Sequence, residues 1–288
     1  MTRQPVVARH AEELLGAAVV ATAPLAGGDT SSATKLRLSD GTTAIMKTHA
    51  HPPAGFFAAE AHGLRWLGEA AADGGVAVPE VLGVDEECLI LRWVEPGKVS
   101  ADAAASFGQA LAATHAAGAP SYGGDAEGFI SKLPLPNSPC DSWAEFYAVR
   151  RVLPYLKLAR DRGAVSDVEA GLVEGVIGKL TSLLPEEPPA RLHGDLWNGN
   201  VLWGQESRVW LVDPAAYGGH RELDLAMLAL FGLPHLPRVV EAYQESAPLA
   251  EGWEERVSLH QLFPLLVHAA LFGGGYGSRA AEAASRYA

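Results

Sequence analysis

The chain is expected to be an α+β protein of two unequal lobes, a small N-terminal antiparallel sheet with one helix and a larger, mainly helical C-terminal lobe. Three observations predict this. Residues 17–94 contain five short β-branched or alternating runs around one stretch of helical spacing. Glu95-Pro96-Gly97 then breaks the chain. From Ser100 onward, amphipathic helical spacing dominates. We therefore assign an N-terminal lobe to residues 1–94 and a C-terminal lobe to 95–288, as a length of 288 residues allows.

The first strand, residues 17–23, runs into Gly27-Gly28-Asp29-Thr30-Ser31-Ser32, a loop rich in glycine and hydroxyls. Residues 33–38 and Thr43–Thr48 form a hairpin about Asp40-Gly41, a strong turn signal. Residues 56–72 place Phe56, Ala59, Gly63, Leu64 and Leu67 on one helical face, with Glu60 beside them. Val81–Val84 and residues 88–94 complete the sheet, with Trp93 packing in the core or at the linker. In the second lobe Ser100 caps a helix that ends at Gly118. A long loop follows over residues 119–140. Helices are expected over 142–162, interrupted at Pro154, and over 166–184. Two short strands, Val201–Trp203 and residues 209–212, precede helices at Glu222–Phe231 and 258–272.

A formal charge of −12 argues against a nucleic-acid-binding surface, which needs a clustered basic face. The two cysteines, Cys88 and Cys140, stand apart, so neither a disulfide framework nor a zinc site is expected. The N-terminus lacks an apolar signal core, and the most apolar stretches fall short of a membrane span. A cytoplasmic protein is the expectation.

The chemistry concentrates between His193 and Asp213. Asp195 and Asn200 stand five residues apart, a spacing that turns a loop so that the carboxylate faces an acceptor hydroxyl and the amide oxygen faces a metal. Asp213 follows a two-strand excursion, where a second metal-binding oxygen is needed. Lys47 on the third strand and Glu60 on the helix can form the ion pair that holds α- and β-phosphates. Phosphoryl transfer from ATP with Mg2+ asks for this set in this order. His193 and Asp224 read as braces for the loop.

The set His193-Gly194-Asp195, Asn200 and Asp213 resembles the aminoglycoside-phosphotransferase and choline-kinase branch of the protein-kinase-like fold. Two longer stretches, His193-Gly194-Asp195-Leu196-Trp197-Asn198-Gly199-Asn200 and Asp213-Pro214-Ala215-Ala216-Tyr217-Gly218-Gly219-His220-Arg221-Glu222, resemble the fructosamine (ketosamine) kinases. So does the run from Leu135 through Trp143 to Leu153. The resemblance implies that Lys47 and Glu60 pair over the phosphates, that Gly27 and Gly28 belong to the loop covering them, and that the backbone at Arg92–Val94 holds adenine. It implies Asp195 as catalytic base or positioning carboxylate and Asn200 and Asp213 as Mg2+ ligands. Trp197 is placed to stack on a sugar-like acceptor, while Tyr217 and His220 either shape that pocket or pack beneath it. The implied reaction is ATP-dependent phosphorylation of the 3-hydroxyl of a ketosamine, free or protein-bound, after which the unstable adduct releases its amine. Some family members carry a redox-active cysteine in the nucleotide loop; Gly27–Ser32 has none.

Only ten residues separate Asp213 from Asp224, too few for the peptide-docking segment of a protein kinase. The alternatives within the fold are an aminoglycoside or choline kinase. A non-catalytic pseudokinase is the alternative outside enzymes, although Lys47, Asp195 and Asp213 are all in place.

Overall fold

The computed structural model describes residues 6–25 and 31–288. The chain opens with helix α1 (Val6–Leu15), which the sequence reading does not anticipate. Strands β1 (Val19–Leu25), β2 (Ser32–Leu38) and β3 (Thr43–Thr48) follow, then helix α2 (Phe56–Glu69) and strands β4 (Val81–Val84) and β5 (Cys88–Arg92). The five strands form one antiparallel sheet in the order β1-β2-β3-β5-β4.

Strand alternation decides what each face carries. Ala44 and Met46 of β3 point to one side and pack with Leu36, Cys88, Ile90 and Ala11 of α1. Ile45 points the other way, toward the Phe57, Ala61 and Leu64 face of α2, where Leu89 and Leu91 also pack. Lys47 shares the side of Ile45 and so meets α2. The helix thus presents Glu60 to the strand lysine because its apolar stripe is buried one turn away.

Beyond β5 the chain crosses to α3 (Ala101–Ala116), whose first turn is capped by Ser100 accepting the Ala103 N–H at 3.1 Å. The crossing is tied down. The Gly97 N–H donates to Trp203 O at 2.7 Å, and Pro96 bridges to Gly204.

The 119–140 loop contains a small hairpin, β6 (Gly128–Ile130) and β7 (Leu133–Leu135). The helix expected over 142–162 is broken into α4 (Trp143–Phe146), a π-helical stretch Tyr147–Val152 and α5 (Leu153–Asp161). Pro154 lies in the first turn of α5, where its missing N–H costs nothing, so the wide turns before it absorb the break. Helices α6 (Asp167–Ile177) and α7 (Leu180–Leu183) replace the single one expected over 166–184. Next come β8 (Ala190–Leu192), β9 (Val201–Trp203), β10 (Val209–Leu211), β11 (Tyr217–Gly219) and α8 (Glu222–Phe231). The chain closes with α9 (Leu236–Ser246), α10 (Trp253–His260), α11 (Leu262–Phe272) and α12 (Tyr276–Ser285). The helix expected at 258–272 is therefore two helices meeting at Gln261. No helix among the described residues is long and apolar enough to cross a membrane.

Pairs β9–β10 and β8–β11 are each antiparallel, and the His193–Asn200 segment joins β8 to β9. Leu196, Val201 and Leu211 anchor that region to Phe107 and Leu111 of α3, while Leu192 and Tyr217 anchor it to Trp143 and Phe146.

Leu64 is wholly buried between α2 and the sheet. A Leu64→Ala substitution is expected to cost about 2–5 kcal/mol through the cavity it opens, read as a lowered midpoint in urea unfolding.

Candidate active site

Asp224 organises the loop that carries Asp195. Its carboxylate is fully buried in the first turn of α8 and accepts three hydrogen bonds: His193 N–H at 2.8 Å, Gly194 N–H at 3.0 Å and the His115 ring at 3.2 Å. Burial penalises the charge, but these donors outweigh it and hold the Asp224 pKa below the usual carboxylate range. Gly194 sits at φ +79, and a Cβ there would lie 2.1 Å from Ala215 O, so no other residue fits. His193 spends both ring nitrogens on backbone: Nε2 donates to Val212 O at 2.9 Å and Nδ1 accepts the Asp195 N–H at 3.3 Å. Burial lowers its pKa, which keeps the ring neutral. The bracing roles read for His193 and Asp224 are the ones their contacts describe.

Asp195 and Asn200 face one another across the resulting turn. Asn200 Nδ2 donates to Asp195 O at 2.7 Å and approaches Asp195 Oδ2 at 3.3 Å. Its Oδ1 is left without a protein hydrogen bond among the described residues. Burial, then the charge of Asp213, pushes the Asp195 carboxyl up to about 7. Asp213 itself adopts φ +54, an uncommon backbone conformation for a residue other than glycine and one concentrated at functional sites.

Lys47 closes the arrangement from the N-terminal sheet. Its Nζ donates to Glu60 at 2.6 and 2.7 Å and to Asp213 at 2.8 Å. Burial works against the ammonium, but the two carboxylates outweigh it and raise its pKa, so Lys47 stays charged. Burial, opposed by Lys47 and reinforced by Asp213, pushes Glu60 upward. With Asp195 nearby the cluster holds three carboxyl groups and one ammonium. Together with Asn200 Oδ1 and the half-exposed Asp213 carboxylate, this is an oxygen-rich, acidic setting that fits a hard divalent cation.

The remaining predicted residues fare differently. Gly27 and Gly28 lie outside the described residues. Arg92 turns its side chain into solvent and pairs with Glu80 at 2.7 Å, so only its backbone is offered to a nucleotide. Arg92 and Val94 do line a cavity of about 470 Å³ with Leu64, Val78, Trp93 and Trp210, but Lys47, Asp195 and Asp213 do not border it. Trp197 is 41% exposed beside the loop.

Of the two roles read for Tyr217 and His220, packing is the one their burial fits, because each is only 1% exposed and neither lines an open pocket. Tyr217 lies on the buried Arg151 guanidinium, 3.8 Å from its ring, beneath Gly194. His220 belongs to a buried ion network. Arg221 grips Glu187 through two hydrogen bonds of 2.8 and 2.6 Å, and Arg256 grips Glu222 through two of 2.9 and 2.6 Å. His220, Glu222 and His260 bring ligand-type atoms within 4.8 Å of one another. Arg256 already occupies both Glu222 oxygens, and Glu222 N–H donates to His220 Nδ1 at 3.3 Å, while His220 Nε2 and the His260 ring are buried without a hydrogen-bond partner among the described residues. The Tyr217–Glu222 signature pins β11 and α8 to the rest of the lobe.

Sequence reading missed Arg151 and His115. Arg151 is fully buried, donating to Pro136 O and Asn137 Oδ1 at 2.6 Å each. His115 links Asp224 to the Tyr243 hydroxyl at 2.8 Å. A charged or polar residue at an apolar-face position was the only available signal, and in His115 it was visible on the α3 stripe.

This geometry, a strand lysine paired with a helix glutamate above a braced Asp–Asn loop and a second aspartate, defines a phosphotransferase site. Residues 4–287 match the fructosamine kinase family. The chain belongs to that family. A probable ketoamine kinase of Thermus thermophilus is 38% identical over 258 residues, covering 88% of each chain. The crystal structure of a Thermobifida fusca protein provisionally assigned as a fructosamine-3-kinase superposes with a TM-score of 0.93 at 48% identity, covering 98% of both chains. An amicoumacin kinase in complex with AMP-PNP, Ca2+ and amicoumacin shares the fold alone, with a TM-score of 0.61 at 12% identity over 98% of this chain and 92% of its own. Fructosamine kinases are phosphotransferases that use ATP on a sugar–amine hydroxyl, and the chain is such an enzyme.

Burial, then the charge of His260, lowers the His220 pKa to about 3, against 6.5 for the free group. The unfolded chain therefore takes up a proton below pH 6.5 that the folded one refuses until about pH 3. Stability contributed by the neutral ring is complete above 6.5 and is lost as pH falls toward 3. Urea unfolding of the native protein is expected to weaken by up to about 1.4 kcal/mol per pH unit across that window through this site. A His220→Asn variant is expected to show the shallower slope.

Proposed function

We propose that the enzyme phosphorylates the 3-hydroxyl of ketosamines, with Asp195 as the group that receives or orients the acceptor proton. The observation that carries this reading is the convergence of Lys47, Glu60, Asp195, Asn200 and Asp213 on one site in a fructosamine kinase chain. Lys47, held by Glu60, binds the α- and β-phosphates, exchanging its contact with Asp213 for phosphate oxygens. The backbone at Arg92–Val94 holds the adenine. Asn200 Oδ1 and the Asp213 carboxylate would hold Mg2+, which when bound neutralises the phosphate charge. The bond between the γ-phosphorus and the β–γ bridging oxygen of ATP breaks as O3 of the sugar bonds to that phosphorus, leaving ADP, and the O3 proton goes to the Asp195 carboxylate. Asp224 and His193 fix the loop so that little reorganisation accompanies the transfer.

Trp197 stacks on the sugar. The 3-phosphate makes the adduct unstable, so it breaks down and frees the amine. The product is thus deglycated, whether the amine belonged to a free small molecule or to a protein. A cytoplasmic location, where ATP is plentiful, fits this reading.

An ATP-consumption assay over ketosamines, aminoglycosides and choline tests the reading. Native protein is expected to turn over ketosamines alone, and Asp195→Asn is expected to lose at least ~10²-fold in kcat. Turnover of choline or an aminoglycoside with no ketosamine activity would refute the acceptor assignment. An Asp195→Asn variant as active as the native enzyme would remove Asp195 from the mechanism.

A further inference from the structure

We propose that the aromatic run from Trp197 to Phe272 is a subsite for the amine part of the acceptor, selecting ketosamines whose amine carries an aromatic or large apolar group. The proposal rests on the kinase reading of Asp195 and extends it to the part of the substrate that does not react.

Trp197 begins the run, two residues after Asp195, and its N–H donates to Asp195 O at 3.2 Å. Its ring lies over the backbone of Gly199, where a Cβ would sit 2.3 Å away, so the side chain is held close to the loop rather than free in solvent. From there ring follows ring. Trp197 meets Phe231 edge to face at 6.1 Å, Phe231 meets His268 at 4.8 Å, and His268 meets both Phe272 at 5.5 Å and Tyr276 at 5.1 Å. Beside the loop that carries Trp197, three helix ends supply these groups: the C-terminal ends of α8 and α11 and the N-terminal end of α12. The Gly273–Gly275 turn, at positive φ in all three residues, brings Phe272 and Tyr276 back onto the same histidine.

Two properties separate this run from ordinary core. Trp197 is 41% exposed and Phe272 54%, and they are the only aromatic residues among the exposed large hydrophobic side chains described. Both ends of the run are therefore open while its middle is packed. His268 also keeps a fixed, uncharged face. Its Nδ1 donates to Pro264 O at 2.8 Å, and burial lowers its pKa.

The substrate's own connectivity aligns with this run. With O3 at Asp195, carbons C2 and C1 lead away from the reacting centre to the amine nitrogen. Trp197, beside the loop, offers its π-face to that nitrogen, which is protonated at neutral pH. The group borne by the nitrogen continues past the partly buried Phe231 onto Phe272, where aromatic or aliphatic surface displaces water from an exposed ring. A glycine adduct reaches the tryptophan but has nothing to lay on the phenylalanines.

The test holds the sugar constant as fructose and varies the amine among glycine, leucine and phenylalanine, measuring kcat/KM at saturating ATP. The native enzyme is expected to prefer the phenylalanine adduct to the glycine adduct by about tenfold, with leucine between, the size of effect a single apolar contact supports. Phe272→Ala, at a half-exposed position, is expected to reduce that ratio to about threefold or less, and Phe231→Leu to reduce it as well. Phe272→Tyr is expected to keep it. A native ratio near one, or an undiminished ratio in Phe272→Ala, overturns the subsite and leaves the kinase reading standing. Turnover of none of the adducts overturns the kinase reading, and the subsite falls with it.

Discussion

A buried carboxylate governs this site. Asp224 contacts no reacting atom in the mechanism, yet it is the charge around which the loop is wound. A carboxylate removed from water is costly unless its oxygens are fully used, and here two backbone N–H groups and the His115 ring use them. The two backbone donors belong to His193 and Gly194, so satisfying Asp224 fixes the two residues immediately before Asp195. His193 then repeats the device one step along the chain, holding Val212 O with one nitrogen and the Asp195 N–H with the other. Both ends of the β9–β10 excursion are thereby fixed from one buried anion.

The second constraint runs between the sheet and the helical lobe. Lys47 contacts Glu60 in its own lobe and Asp213 in the other. The sheet's alternation sends Lys47 toward α2, and the packing of Phe57, Ala61 and Leu64 sets where Glu60 stands. Apolar packing in one lobe therefore sets the position of a charge that reaches the other.

The two-lobe plan and the order of the chemical groups were legible in the sequence because the chemistry is local. Asp195 and Asn200 must share one turn, and a strand lysine and helix glutamate must lie within one small lobe. Short-range spacing shows both. Helices α1, α9 and α12 were not legible. α1 and α12 are amphipathic and lie at the ends of the chain, where the reading concentrated on excluding a signal sequence and on the apolar run at α11. The break at Gln261 was hidden for a different reason: α10 and α11 abut with no glycine or proline between them. Tyr217 and His220 show a limit of another kind. Their motif is specific, but what it specifies is a buried ion network joining Arg221 to Glu187 and Glu222 to Arg256. Specificity of a motif and contact with a substrate are separate properties, and the sequence left open which of the two applied until burial was known. Arg151 lies within the Leu135–Leu153 run that carries the resemblance, but its burial was not legible, because a guanidinium held by carbonyl oxygens and aromatic faces looks in sequence like any helical arginine.

The linker after β5 closes by pairing with the hairpin of the other lobe, through Gly97 to Trp203 and Pro96 to Gly204. That hairpin begins at Asn200 and leads to Asp213. Pivot and jaw are thus cut from one piece. Any rotation of the sheet about its linker would pull directly on the strands whose ends carry Asn200 and Asp213, so the relative position of the two lobes and the spacing of these two oxygens would be mechanically linked.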